Sequence, residues 1–170
     1  MTVNSFGMKD RLDIQVYDNT GHRVAHRTTY NPDSIVHRIR KILRLDKCLA
    51  NDLITNDGLA DVADMIMDRY DYMSVGTGVT TPEVDDTELE SQILTRSLCS
   101  KSLSTTYYTD DTITFTGAFI PEYDVEISEC GIHLLSGASG DVMFARETFT
   151  PVSCVSGYTV QIAWQVILTR

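Results

Sequence analysis

A chain of 170 residues, 42% hydrophobic and 22% charged, can bury a core as a single domain and is too apolar to be disordered. Its net charge of −10 and pI near 4.7 exclude the basic footprint that phosphate binding needs, so nucleic acid is not an expected partner. No run approaches the roughly 18 apolar residues of a membrane span. Met1 to Asp10 also lacks the basic-then-apolar order of a secretory signal, so synthesis in a cytoplasm, away from membranes, is expected.

In chain order, Arg11 to Tyr30 reads as a hairpin. Leu12, Ile14 and Val16 alternate with polar residues, and Asp18-Asn19-Thr20-Gly21 supplies turn chemistry. Asn31-Pro32-Asp33-Ser34 is a helix start signal, and Ile35, Ile39 and Ile42 follow at helical spacing. Arg38, Lys41 and Arg44 lie off that apolar stripe, on a basic face that either stays solvated or meets an acidic partner, such as another copy of the chain. Thr55-Asn56-Asp57-Gly58 precedes a second helix with Leu59, Val62, Ala63 and Ile66 on one face, and its early aspartates suit the helix dipole.

Gly76 to Asp86 reads as an exposed loop, and Thr87-Glu88-Leu89-Glu90 matches a capping box that predicts a helical turn. From Ile93 onward the pattern is β. Ile113, Phe115 and Phe119 alternate. Val125 and Ile127 are out of phase with Cys130, Ile132 and Leu134, so a β-bulge is expected near Ser128-Glu129. Val142 and Phe144 open a strand that Pro151 is expected to close. The last strand, Tyr158 to Arg170, puts Tyr158, Val160, Ile162, Trp164, Val166 and Leu168 on one face. The expected fold is mainly β, an antiparallel β-sandwich of jelly-roll-like kind with a small N-terminal hairpin and two short helices. Two regions are expected: 1–52, hairpin and helix, for anchoring, and 53–170, helix plus sandwich.

No motif assembles a catalytic or cofactor site. Gly76-Thr77-Gly78 lacks the third glycine and the directly following helix of a dinucleotide loop. The acidic run Glu83, Asp85, Asp86, Glu88 and Glu90 lacks EF-hand spacing. His22, His26, His37 and His133 form no His-x-x-x-His pair on a helix face. His22 and His26 could share one side of a strand, weak ground for a metal site, so structural histidines are expected. No Gly-x-Ser-x-Gly elbow occurs. Cys48, Cys99, Cys130 and Cys154 form no Cys-x-x-Cys pair and read as small buried residues. Glu129, in an otherwise apolar strand, is the most unusual carboxylate. A structural role is expected for it, paired with Arg96 or Arg146 or capping the bulge; a buried catalytic acid is the alternative.

Several segments resemble, in fixed order, those of structural proteins of tailed bacteriophages and related archaeal tailed viruses. They are Leu53 to Ala63; Tyr72 to Gly78 with Val79-Thr80-Thr81-Pro82, Asp86 to Leu89 and Arg96; Ile127 to Ile132; and Phe144-Ala145-Arg146 with Phe149-Thr150-Pro151-Val152. The likeness spans roughly Leu53 to Arg170; Cys130 and Ile132 depart from its usual residues but stay apolar. It implies a non-enzymatic virion component without cofactor or bound metal, made in the host cytoplasm. Such a component assembles with itself on the capsid as a decoration or turret, or on the neck, tail or baseplate, beside major capsid, neck or tail proteins. The candidate interface residues are Gly76, Thr77, Gly78, Thr80 and Pro82 together with Arg38, Lys41 and Arg44. The alternative is a receptor- or glycan-binding module of a tail fibre or baseplate, with Tyr107, Tyr108 and Tyr123 as contacts.

Overall fold

The structure is a computed structural model that describes residues 7–31 and 54–169. The elements are β1 (Gly7–Tyr17), β2 (Arg23–Asn31), α1 (Asn56–Arg69), β3 (Tyr72–Gly76), β4 (Ser97–Leu98) and β5 (Ser100–Ser104). β6 (Thr112–Phe119), β7 (Val125–His133), β8 (Met143–Cys154) and β9 (Thr159–Thr169) complete them. They form two antiparallel sheets, a five-stranded one ordered β2-β1-β9-β6-β5 and a four-stranded one ordered β4-β3-β7-β8. Residues of both sheets contribute to one apolar core, so the architecture is a β-sandwich.

The alternation in the terminal strand places β9 at the centre of the larger sheet. β1 pairs with it on one side and β6 on the other, with Leu12 and Phe115 flanking Trp164. Val160, Ile162, Trp164, Val166 and Leu168 are all fully buried; each such side chain contributes about 1.5–3 kcal/mol through apolar burial. β1 pairs with β9 along its whole length, so the N-terminal hairpin belongs to the sandwich and is not set apart at residue 52. Its turn follows from chemistry: Asp18 Oδ1 accepts from the Thr20 and His22 amides, and Gly21 adopts the left-handed φ of +82° that glycine tolerates.

Thr55 caps α1, its hydroxyl accepting from the Gly58 amide. Leu59, Ala63 and Ile66 turn into the core, against β5, β6 and β9. The helix expected from Asn31 onward, with Arg38, Lys41, Arg44 and Cys48, lies outside the described residues. No helix among the described residues is long and apolar enough to cross a membrane.

The expected bulge is present. Ile127 pairs with Val152 but Glu129 with Thr148, so the β7–β8 register shifts at Ser128, and three residues of β8, Phe149 to Pro151, stand where β7 has one. Pro151 does not end that strand, contrary to expectation, and β8 runs on to Cys154. β8 is the edge of its sheet, where a residue without an N–H costs no ladder bond.

Candidate functional site

Every residue of β7 from Ile127 to His133 is buried, which a sandwich strand achieves only if both faces are covered. Ile127, Cys130 and Ile132 face the core. On the other side, the segment from Thr77 to Arg96 forms a roof over the four-stranded sheet, and two polar clusters hold it there.

Glu129, fully buried, organises the first cluster. Its Oε1 accepts from the amides of Gly78 (2.9 Å) and Ser91 (2.7 Å), and its Oε2 from the Glu90 amide (3.1 Å) and Arg146 Nε (2.9 Å). Four donors meet the acceptor capacity of an ionised carboxylate, which is how a buried charge becomes tolerable. Arg146 then reaches back to the roof, donating through Nη1 to Asp86 (2.9 Å) and through Nη2 to Thr80 Oγ1 (3.2 Å). Burial opposes the Arg146 charge, but Asp86 and Glu129 outweigh it and raise its pKa further. Glu90 Oε2 accepts from the Val79 amide (2.9 Å) and from both the amide (2.9 Å) and hydroxyl (2.8 Å) of Thr80. These bonds, Thr80 first, hold its carboxyl below the usual glutamate range.

The two glycines of Gly76-Thr77-Gly78 follow from this packing. A Cβ on either would collide with the Glu129 side chain, so their role is close approach to a buried carboxylate. Both are buried and Thr77 is half-buried, which removes the glycine pair from the candidate interface. Of the candidate interface residues, Thr80 is exposed and Pro82 half-buried. The helical turn expected at Thr87–Glu90 does not form. In a capping box the Glu90 side chain would return to the Thr87 amide; here it serves Val79 and Thr80 while its own N–H serves Glu129.

The second cluster was invisible in the sequence. His133 Nδ1 donates to Asp141 Oδ2 (2.7 Å), and the Ser74 hydroxyl meets His133 Nε2 (2.6 Å). Asp141 Oδ2 also accepts from Arg96 Nη1 (2.8 Å), and Oδ1 from the Leu135 amide (2.9 Å). Arg96 Nη1 further donates to the carbonyls of Leu135 (2.9 Å) and Gly137 (3.1 Å), so Arg96 pairs with Asp141 and not with Glu129. Burial drives the His133 pKa down, against the pull of Asp141, and so favours the neutral ring. Burial also opposes ionisation of Asp141, but the Leu135 amide, His133 and Arg96 prevail and hold its carboxyl below the usual range.

Ser74, His133 and Asp141 stand in the order of a serine-nucleophile relay. Ser74 and His133 are fully buried, however. A Cβ at Gly131, the position beside the ring, would lie 2.9 Å from His133 Nε2, 3.1 Å from Leu89 and 3.2 Å from Met143, so the ring is closely packed on that side. In this conformation the relay is a buried polar tie. Among the described residues no group of three or more His, Cys, Asp or Glu is arranged to hold a metal ion. Cys99, Cys130 and Cys154 are free and buried, and burial pushes the Cys99 thiol up to about 12 and Cys154 to about 11, far from a reactive thiolate.

The aromatic candidates do not form one patch. Asp111 shapes the turn carrying Tyr107 and Tyr108 by accepting from the amides of Thr106, Tyr107 and Tyr108 and from the Thr112 hydroxyl. Tyr107 is exposed, while Tyr108 packs against the core. Tyr123 lies beyond the other end of β6, a strand of eight residues that is about 26 Å long.

The fold thus defines an antiparallel β-sandwich with a roofed four-stranded sheet. No family model matches the chain, and neither the curated proteins nor the solved structures hold a match to it.

Proposed function

We propose that this protein is a non-enzymatic structural subunit of a tailed virus particle. It assembles with itself into a symmetric oligomer on the capsid, as a decoration or turret, or on the neck or tail. What supports the reading is that parts of three resembling segments meet at one buried carboxylate. Gly78 and Arg146 both bond Glu129, although they span 69 positions of the chain, and Arg146 also bonds Asp86. Glu90 and Ser91, outside those segments, complete the cluster. Their shared order then reflects a fold requirement rather than a reaction. Virion localisation and major capsid, neck or tail proteins as neighbours belong to the same proposal. The fibre-tip glycan reading loses its aromatic platform, because Tyr107 and Tyr123 sit at opposite ends of β6.

Sedimentation velocity of the purified full chain tests the assembly. A discrete oligomer at micromolar concentration is expected; a monomer at every concentration and salt would refute it.

A further inference from the structure

The last stretch of the roof and the β7–β8 turn line a cavity of about 390 Å³ that is open to solvent, with Gln92, Ile93, Leu94, Thr95 and Arg96 on one side and the turn around Ser136 on the other. That is the small end of the roughly 300–1,000 Å³ typical of ligand pockets, a size for one small molecule or one residue of a polymer. Arg96 is buried, its side chain only 3% exposed, and its Nη1 and Nε are occupied by Asp141, two carbonyls and Gln92. Nη2 has no hydrogen-bond partner among the described residues, and neither do the hydroxyls of Thr95 and Ser136. One guanidinium nitrogen, with its two N–H donors, and two hydroxyls thus remain available around the cavity, and Ile93 and Leu94 give it an apolar wall.

The charge balance selects the ligand. Asp141, equally buried and 2.8 Å away, offsets the Arg96 cation, and the chain as a whole carries −10, so an anion gains nothing by entering. A neutral ligand with several hydroxyls fits: it accepts from Nη2, exchanges hydrogen bonds with the Thr95 and Ser136 hydroxyls and lays its C–H surface on Ile93 and Leu94. We infer that this cavity is a binding site for a single neutral sugar residue. The inference is independent of the assembly reading, and its ligand contacts are not the tyrosines on which a glycan platform was first expected.

The test is an amide-shift NMR titration of the full chain with the methyl glycosides of glucose, galactose, mannose and N-acetylglucosamine in separate arms, and sodium acetate as an anion arm. At least one glycoside is expected to produce saturable shifts at Thr95, Ser136, Gly137 and Ala138. Thr95→Ala/Ser136→Ala, at two exposed positions away from the buried pairs, is expected to weaken that binding about tenfold, as two lost hydrogen bonds of modest net worth would. The inference is overturned if no glycoside gives saturable shifts, if acetate alone does, if the shifts lie elsewhere, or if the double variant binds undiminished.

Discussion

Glu129 accepts four hydrogen bonds in the dry space between sheet and roof, and replacing it with glutamine keeps its shape while removing its charge. Arg146 then faces a neutral partner, and an amide nitrogen replaces one acceptor opposite backbone donors. Glu129→Gln is expected to lower unfolding free energy by about 1–3 kcal/mol, the cost of unsatisfied buried polar groups, measured by urea denaturation. Stability unchanged to within error would show that the cluster does not hold the roof. Gly78→Ala is expected to destabilise through the collision with Glu129. The neighbouring relay gives a pH signature. His133 has a folded pKa below its ordinary 6.5, so the unfolded chain takes up a proton first and stability falls as pH drops below about 6.5. Asp111 and Asp141 are depressed from 3.8, so their contribution is present above that value and is lost as pH falls further. Urea midpoints against pH should therefore fall in two stages, and His133→Gln should remove the upper one. A fluorophosphonate probe should leave the buried Ser74 unlabelled; labelling would show that the relay opens to solvent.

At the scale of elements, the roof is irregular yet tied down like a strand. The Thr77 amide donates to Ser91 O and the Ile93 amide to Val75 O, and Gly76 bridges to Gln92. Amides of Gly78, Glu90 and Ser91 should exchange as slowly as those of β7, and Glu129→Gln should accelerate all three together. Exchange at loop rates in the parent protein would contradict the roof. Local chemistry made much of the fold legible in advance: the Asp18–Gly21 turn, the helix start after Thr55-Asn56-Asp57-Gly58, the alternation of β9 and the phase slip before Cys130 each depend on near neighbours. Non-local competition defeated the rest. Glu90 has the spacing of a capping box, but its carboxylate and amide are taken by residues 10, 11 and 39 positions away. Pro151 looks like a strand end until β8 is known to be an edge. Glu129 drew notice as an acid in an apolar strand, with Arg146 among its expected partners. Ser74 and His133, 59 positions apart, carried no signal linking them.

At the scale of the molecule, three cations of the sandwich are paired internally: Arg96 with Asp141, Lys101 with Asp71, and Arg146 with Asp86 and Glu129. Copies that each carry −10 repel one another, so self-assembly should strengthen with added salt as the repulsion is screened within about 10 Å at 0.1 M. Weaker assembly at higher salt would mean that the contact rests on opposite charges instead. The proposal as a whole stands or falls on where the protein resides. A reconstruction of purified particles, with the sandwich fitted to density and copy number measured by quantitative mass spectrometry, tests it most directly. The account predicts the sandwich in symmetric, stoichiometric copies on the capsid, neck or tail; its absence from purified particles would contradict the account.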